Sequence, residues 1–218
     1  NIIVDAIQKS ISLDKIPNAF LFTGIRGVGK TTIARILAKS LNCSNKKKND
    51  CLKNKCDNCT QITESRHIDV LEKDAASKTG VDDVRDLIEF SRYGPTCSRF
   101  KIFIIDEVHM LSKQAFNALL KTLEEPPEYL KFIFATTEVN KIPITVLSRC
   151  QRFDLMRISF DELLNFLKKV ISTEKKNINE NILKLIVKLS EGSVRDALSL
   201  LDRILLNDNN SKEMDLKS

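Results

Sequence analysis

Five short segments concentrate apolar, β-branched and aromatic residues: AFLFTG (19–24), DVLEKDA (69–75), KIFIIDEV (101–108), KFIFATTE (131–138) and QRFDLM (151–156). The third and fourth are apolar on both faces, the pattern of central strands in a parallel sheet covered from both sides. Between the segments, apolar residues recur at helical spacing over 30–42, 80–92 and 113–124. Strand, helix, strand is the rhythm of a sheet with helices on both faces. The pattern therefore predicts an α/β domain over 1–157. From 158 onward only helical spacing remains. Ser159 with Glu162 reads as a capping box opening one helix. Asn179 caps a second, with Ile182, Leu185, Ile186 and Leu189 as its apolar positions. Ser193 with Asp196 opens a third, carrying Leu198, Leu201 and Ile204. A small helical domain over 158–218 follows, and its polar end NDNNSKEMDLKS reads as frayed or as a severed linker.

A chain of 218 residues with 42% hydrophobic content can build one large core and one small one. Its apolar runs, such as IFII, are too short to cross a bilayer. No basic stretch followed by an apolar core marks a signal peptide, so a cytoplasmic protein without membrane attachment is expected. The first residue is Asn rather than Met, which reads as a fragment. The net charge of +6 mildly favours an anionic partner. Six cysteines without a secretion signal point to metal ligation before disulfides. Four of them cluster in CSNKKKNDCLKNKCDNC as Cys43, Cys51, Cys56 and Cys59, among Lys46, Lys47, Lys48, Lys53 and Lys55. Cys97 and Cys150 lie apart and read as small packing residues.

The strongest chemical signal is GIRGVGKTT, Gly24 to Thr32, after one strand and opening a helix. It fits G-x-x-x-x-G-K-[ST]. Gly24, Gly27 and Gly29 let the backbone wrap phosphates, and the loop N–H groups with the helix N-terminus supply partial positive charge. Val28 and Thr32 complete the nucleotide-binding stretch. Lys30 is placed to reach the β- and γ-phosphates, and Thr31 to ligate Mg²⁺. In KIFIIDEVHM, Asp106 and Glu107 end an apolar strand at the Walker-B position. Two adjacent carboxylates there need a compensating cation, so Asp106 is expected at Mg²⁺ and Glu107 at the attacking water. His109 reads as structural. Thr136 and Thr137 end the next strand, where a hydroxyl can sense the γ-phosphate or position water. Arg149 in TVLSRC precedes the last strand. Arg195 in EGSVRDALSLLD sits in a helix's first turn, against the helix dipole, which makes sense if it reaches a phosphate.

The order of the P-loop, IIDEVHML, LLKTLEEPP, ATTE, SRC and GSVRDALSLLD resembles the AAA+ clamp-loader ATPases, best those of the gamma/tau type of bacterial DNA polymerase III; DAASKTGVDDVRDL (74–87) matches too. The resemblance covers nearly the whole chain. It implies a P-loop NTPase fold: a five-stranded parallel sheet with helices on both faces and a zinc-module insertion, then a three-helix lid. It implies Thr137 as sensor 1, Arg195 as sensor 2, Arg149 as an arginine finger acting on a neighbour's ATP, and Lys78 and Thr79 near DNA. It assigns Cys43, Cys51, Cys56 and Cys59 to a structural zinc, for which four thiolates suit tetrahedral coordination. The spacing departs from the family pattern: four residues separate Cys51 from Cys56 instead of two, which alters that turn. The resemblance also implies a further segment before NIIVDAIQKS, which helps enclose adenine, and a C-terminal collar. Without them, weak nucleotide binding and a monomer are expected.

The function implied is an ATPase motor subunit, using ATP, Mg²⁺ and Zn²⁺, that loads a sliding clamp onto primed DNA. Its implied partners are the other clamp-loader subunits of a hetero-oligomeric ring, the clamp, primed DNA and the polymerase III core. A non-hydrolysing structural subunit is the first rival, opposed by the intact P-loop and Glu107. A helicase lacks its further nucleic-acid motifs here, and a small P-loop kinase does not explain the Walker-B pair or SRC.

Overall fold

The computed structural model describes residues 2–45, 51, 56–77, 81–174, 176 and 178–215. The chain forms two compact units. One comprises Asn1–Thr23 and Lys30–Asp154, the other Gly24–Gly29 and Leu155–Ser218.

In the first unit the elements run α1 (Ile2–Ser12), β1 (Ala19–Thr23), α2 (Lys30–Asn42), α3 (Asp57–Thr63), β2 (Val70–Asp74), α4 (Val81–Ser91), β3 (Lys101–Asp106), α5 (Lys113–Glu124), β4 (Leu130–Thr136), α6 (Ile144–Leu147) and β5 (Gln151–Asp154). The five strands form one parallel sheet in the order β2-β3-β4-β1-β5. β1 and β4 are buried at every position and β3 at all but its last. β1 is thus as central as the two strands the sequence marks as covered on both faces. Phe103, Phe132 and Phe134 pack on one face with Leu119 and Phe116 of α5 and Val84 and Leu87 of α4. α2 covers the other face, against β1, β3 and β4. Helices on both sides follow from the parallel order, because each crossover must return along a face.

The strands are apolar along their length and polar at their carboxyl ends. Thr23 pairs in register with Thr136 and with Asp154, and Asp74 with Asp106. The carboxyl edge therefore carries a polar row, where ligands bind in open parallel sheets. The amino edge is tied by structural bonds: Asn42 exchanges two hydrogen bonds with the backbone of Phe100, and buried Lys101 donates to the carbonyls of Phe90 and Tyr93 at 2.8 Å each.

The second unit holds the loop Gly24–Gly29 and three helices, α7 (Phe160–Thr173), α8 (Glu180–Ser190) and α9 (Val194–Asp215). Leu163, Leu167, Leu183, Ile186, Ala197 and Leu201 form its core. The Ser159–Glu162 capping box is present, Asn179 caps α8, and the Ser193 hydroxyl accepts from the Asp196 N–H. Two expectations need correction. On α8, Ile186 enters the core but Ile182, Leu185 and Leu189 are exposed, while Leu183 and Val187 are buried instead. α8 carries one broad apolar arc opposite Lys184 and Lys188, and the unit's core takes only the side of it that holds Leu183, Ile186 and Val187. The polar end, expected as frayed or as a severed linker, is helical to Asp215. Extending an existing helix needs no new nucleus, so a mediocre helix sequence follows a good one. No described helix is long and apolar enough to cross a membrane.

Candidate functional site

At the carboxyl edge of the sheet the structure brings together Thr31, Asp106, Glu107, His109, Thr136 and Thr137. Thr31 opens α2 directly after Lys30, and its hydroxyl donates to Asp106 Oδ2. Asp106 Oδ1 accepts from the N–H of Glu107 at 2.9 Å. Glu107 occupies the left-handed region at φ 45°, ψ 45°, a conformation that costs a residue with a Cβ roughly 1–2 kcal/mol. It begins the short 3-10 turn Val108–Met110. Such strain at the end of a central strand is the kind that functional sites carry. Glu107 Oε2 accepts from both the backbone N–H and the hydroxyl of Thr137, at 3.1 and 3.0 Å. Its Oε1 faces the buried Lys30 Nζ at 4.0 Å. One carboxylate oxygen is thus anchored to the end of β4, and the other points toward the lysine.

His109 was not singled out by sequence for this site, yet it lies inside it. Its Nδ1 is 2.9 Å from the Thr136 hydroxyl and 3.3 Å from Glu107 Oε2, and its Nε2 is 3.5 Å from Glu138 Oε1. The Thr136 hydroxyl also accepts from the Glu138 N–H at 3.0 Å. The two threonines therefore divide the work. Thr136 is fully buried and binds the histidine, whereas Thr137 holds Glu107. Position in DEVH, two residues beyond Glu107 and on a tight turn, was the available signal.

Gly24–Gly29 and the start of α9 belong to one compact unit. The carbonyl of Gly27 accepts from the N–H groups of Val194 and Arg195 at 3.1 and 3.4 Å. Gly27 has φ 79°, and a Cβ there would overlap the Ser193 hydroxyl and stand 3.1 Å from the Arg195 Cβ. Glycine is needed here both for its backbone angle and for close approach. A Cβ on Gly24 would stand 2.6 Å from the Leu155 carbonyl. Arg195 is exposed at the first turn of α9, next to the loop. Val28 and Gly29 are half-buried in that loop and Thr32 is exposed in α2.

Arg149 follows α6 and is separate from this group. Its Nη2 donates to Glu124 Oε1 at 2.7 Å, and its Nη1 to the Thr145 carbonyl at 2.6 Å. Lys78 and Thr79 lie outside the described residues, as do the five lysines of the cysteine-rich stretch.

Cys43, just beyond α2, Cys51, and Cys56 and Cys59 at the start of α3 gather their sulfurs within 4.8 Å of one another. Cys56 Sγ is 3.9 Å from Cys43 Sγ and 3.6 Å from Cys51 Sγ. Four thiolates at a Zn–S distance of about 2.3 Å on a regular tetrahedron stand about 3.8 Å apart. The donor set and spacing fit that ion. Burial pushes the Cys43 and Cys59 thiols up; at Cys56 burial is outweighed by hydrogen bonds involving Ser44 and Cys59, which bring it down to about 6. Without a cation the cluster does not favour ionisation of all four sulfurs, and a divalent metal reverses that preference. The altered turn expected from the long Cys51–Cys56 spacing falls on residues 52–55, outside those described.

Cys150 packs against the sheet core, as expected, and burial pushes its thiol up to about 12. Cys97 does not: it is exposed. Its Sγ lies 3.9 Å from His67 Nε2 and 3.3 Å from Asp69 Oδ2. That trio is a loop clamp. Asp69 already accepts from the N–H groups of Thr96, Cys97 and Ser98 and from the Ser98 hydroxyl. His67 Nδ1 accepts from the Asp69 N–H at 3.0 Å, which leaves the ring proton on Nε2 in the neutral imidazole.

Comparisons with known proteins bear on the family of the chain. A family profile described as DNA polymerase III, delta subunit, matches residues 1–159, and one described as DNA polymerase III clamp loader subunit, ATPase lid domain, matches 163–205. The tau subunit of Escherichia coli DNA polymerase III is 47% identical over 204 residues, covering 93% of this chain and 31% of that protein. The gamma subunit of Buchnera aphidicola from Acyrthosiphon pisum is 49% identical over 203 residues, covering 93% and 56%. The chain thus spans about a third to a half of these relatives' length. Among solved structures, the RuvB Holliday junction branch migration motor of Thermotoga maritima superposes with a TM-score of 0.63 at 20% identity, over 92% of this chain and 61% of that one. A gamma subunit-related protein of the same organism gives 0.56 at 21% identity, over 85% and 58%. At such identities these two likenesses speak for the P-loop NTPase fold alone.

Proposed function

The chain belongs to the AAA+ clamp-loader ATPases of DNA polymerase III, gamma/tau type, and on that premise we propose that it is the part of a motor subunit that binds and hydrolyses ATP to load a sliding clamp onto primed DNA. The observation that carries this reading is the grouping of Thr31, Asp106, Glu107 and Thr137 at one edge of the sheet. Bound Mg²⁺ neutralises phosphate charge; Thr31 and Asp106, now bonded to each other, are the pair that would hold it. The loop N–H groups of 24–29 cradle the phosphates, and Lys30 pairs with them. Glu107 orients and polarises the attacking water through Oε1, because Thr137 occupies Oε2. Arg195 acts as sensor 2 from beside the loop. Arg149 serves a neighbouring subunit's ATP: its guanidinium suits charge developing on a transferring phosphoryl group.

The domains follow this division of labour, 1–157 for nucleotide and 158–218 as lid. Cys43, Cys51, Cys56 and Cys59 hold a structural zinc with no open ligand position. The partners are the other loader subunits in a ring, the clamp and primed DNA, with Lys78 and Thr79 toward the DNA, and the polymerase core through the remainder of the full-length protein. The setting is the bacterial cytoplasm. Glu107→Gln and Lys30→Ala in the full-length chain, assembled with partner subunits, separate binding from turnover. Lys30→Ala is expected to lose nucleotide binding. Glu107→Gln is expected to keep it and nearly stop hydrolysis; normal turnover in that variant refutes the assignment.

A further inference from the structure

We propose that Glu124 is the positioning residue for Arg149, holding the guanidinium in place to act on a neighbouring subunit. The inference rests on the proposed role of Arg149 in trans. Glu124 is the last residue of α5, and Glu125 follows it. Carboxylates at a helix C-terminus oppose the helix dipole, so this placement is unfavourable unless a cation compensates. The compensating cation is Arg149, at 2.7 Å from Glu124 Oε1. A second support comes from α6: Arg149 Nη1 reaches back four residues to the Thr145 carbonyl at 2.6 Å, a helix-end acceptor that the Ser148 hydroxyl also reaches at 3.1 Å. The Ser148 hydroxyl is 3.5 Å from the same nitrogen.

A guanidinium has five N–H donors. Glu124, Thr145 and Ser148 engage three at most, on Nη1 and Nη2, and the Nε–H has no partner among the described residues. The group is therefore fixed on one side with donors left over for a phosphate oxygen. The pair is exposed, so its contribution to folding is small. Its value lies in ordering a side chain with four rotatable bonds before the neighbour's nucleotide arrives.

The test uses the full-length chain assembled with its partner subunits, with nucleotide affinity and hydrolysis measured separately for Glu124→Ala, Glu124→Gln, Arg149→Ala and the double variant Glu124→Ala/Arg149→Ala. Glu124→Ala is expected to lower hydrolysis about 3- to 30-fold with affinity unchanged. The upper figure is roughly 2 kcal/mol of arginine rotamer entropy at about 1.4 kcal/mol per tenfold. Glu124→Gln keeps a carbonyl acceptor and falls between Glu124→Ala and the unmodified chain. The double variant is expected to be no worse than Arg149→Ala, since two residues acting as one unit are non-additive. A Glu124→Ala defect that adds fully to that of Arg149→Ala overturns the proposal, as does unchanged hydrolysis. Faster hydrolysis overturns it too, because the pair would then restrain the arginine. If Arg149→Ala itself leaves hydrolysis intact, the trans reading fails and takes this one with it; an effective Arg149→Ala beside a silent Glu124→Ala removes the positioning role alone.

Discussion

Thr137→Val tests how Glu107 is held. Valine keeps the shape of threonine and its preference for strand geometry, so the end of β4 gains no void. What disappears is the hydroxyl that donates to Glu107 Oε2 at 3.0 Å. A hydrogen bond to a charged group is worth about 1.5–3 kcal/mol. Two features pull the figure down: the Glu107 side chain is 26% exposed, and the Thr137 N–H at 3.1 Å remains. A loss of about 1–2 kcal/mol in positioning corresponds to roughly a 5- to 30-fold drop in turnover. Nucleotide affinity should stay within about twofold, because the hydroxyl removed is bonded to Glu107 rather than lying in the phosphate-binding loop. Thr137→Ser restores the hydroxyl and should recover most of the rate. The assay is steady-state ATP hydrolysis by the assembled full-length protein beside equilibrium nucleotide binding. Full activity in the valine variant, or a loss of affinity matching the loss of rate, refutes the idea that Thr137 works by anchoring Glu107.

Purified protein should carry about one zinc per chain, and elemental analysis of single Cys→Ser variants should show loss at Cys43, Cys51, Cys56 and Cys59 but not at Cys97. Because Cys56 sits at about 6 in the metal-free cluster, below the ordinary thiol value, its thiolate form is favoured above that pH and lost as pH falls through it. Zinc binding needs all four thiolates and competes with their protonation, so zinc should be released as pH falls, as followed with a chromogenic chelator. Gly27→Ala combines a left-handed backbone at φ 79° with a clash against Ser193, a cost of about 2–5 kcal/mol. It should lower the thermal midpoint of the chain and weaken ATP binding; an unchanged melt would show that the loop and the start of α9 give way cheaply.

Chemistry that depends on neighbours in the chain is legible in the amino-acid order itself. Apolar runs mark the strands, since a buried strand must be apolar on both faces, and helical spacing recovers α2 and α5 to the residue. GIRGVGKTT and IIDE declare themselves because a phosphate loop needs glycines, lysine and threonine at set intervals. The four cysteines declare a candidate metal cluster because ligand type and spacing are local. What the tertiary structure decided concerns partners far apart in sequence. Strand order put β4 beside β3, and so set Thr137 against Glu107 and Thr136 against His109. Which of two adjacent threonines meets the carboxylate depends on where β4 ends beside its neighbours, and alternation alone does not give that. The glycine at 27 is needed for a reason lying about 170 residues away, the approach of Ser193. Glu124 and Arg149 meet because α5 and α6 converge, and no periodicity links two side chains on different helices. The same holds for α8, whose broad apolar arc does not say in sequence which of its sides the neighbouring helices bury.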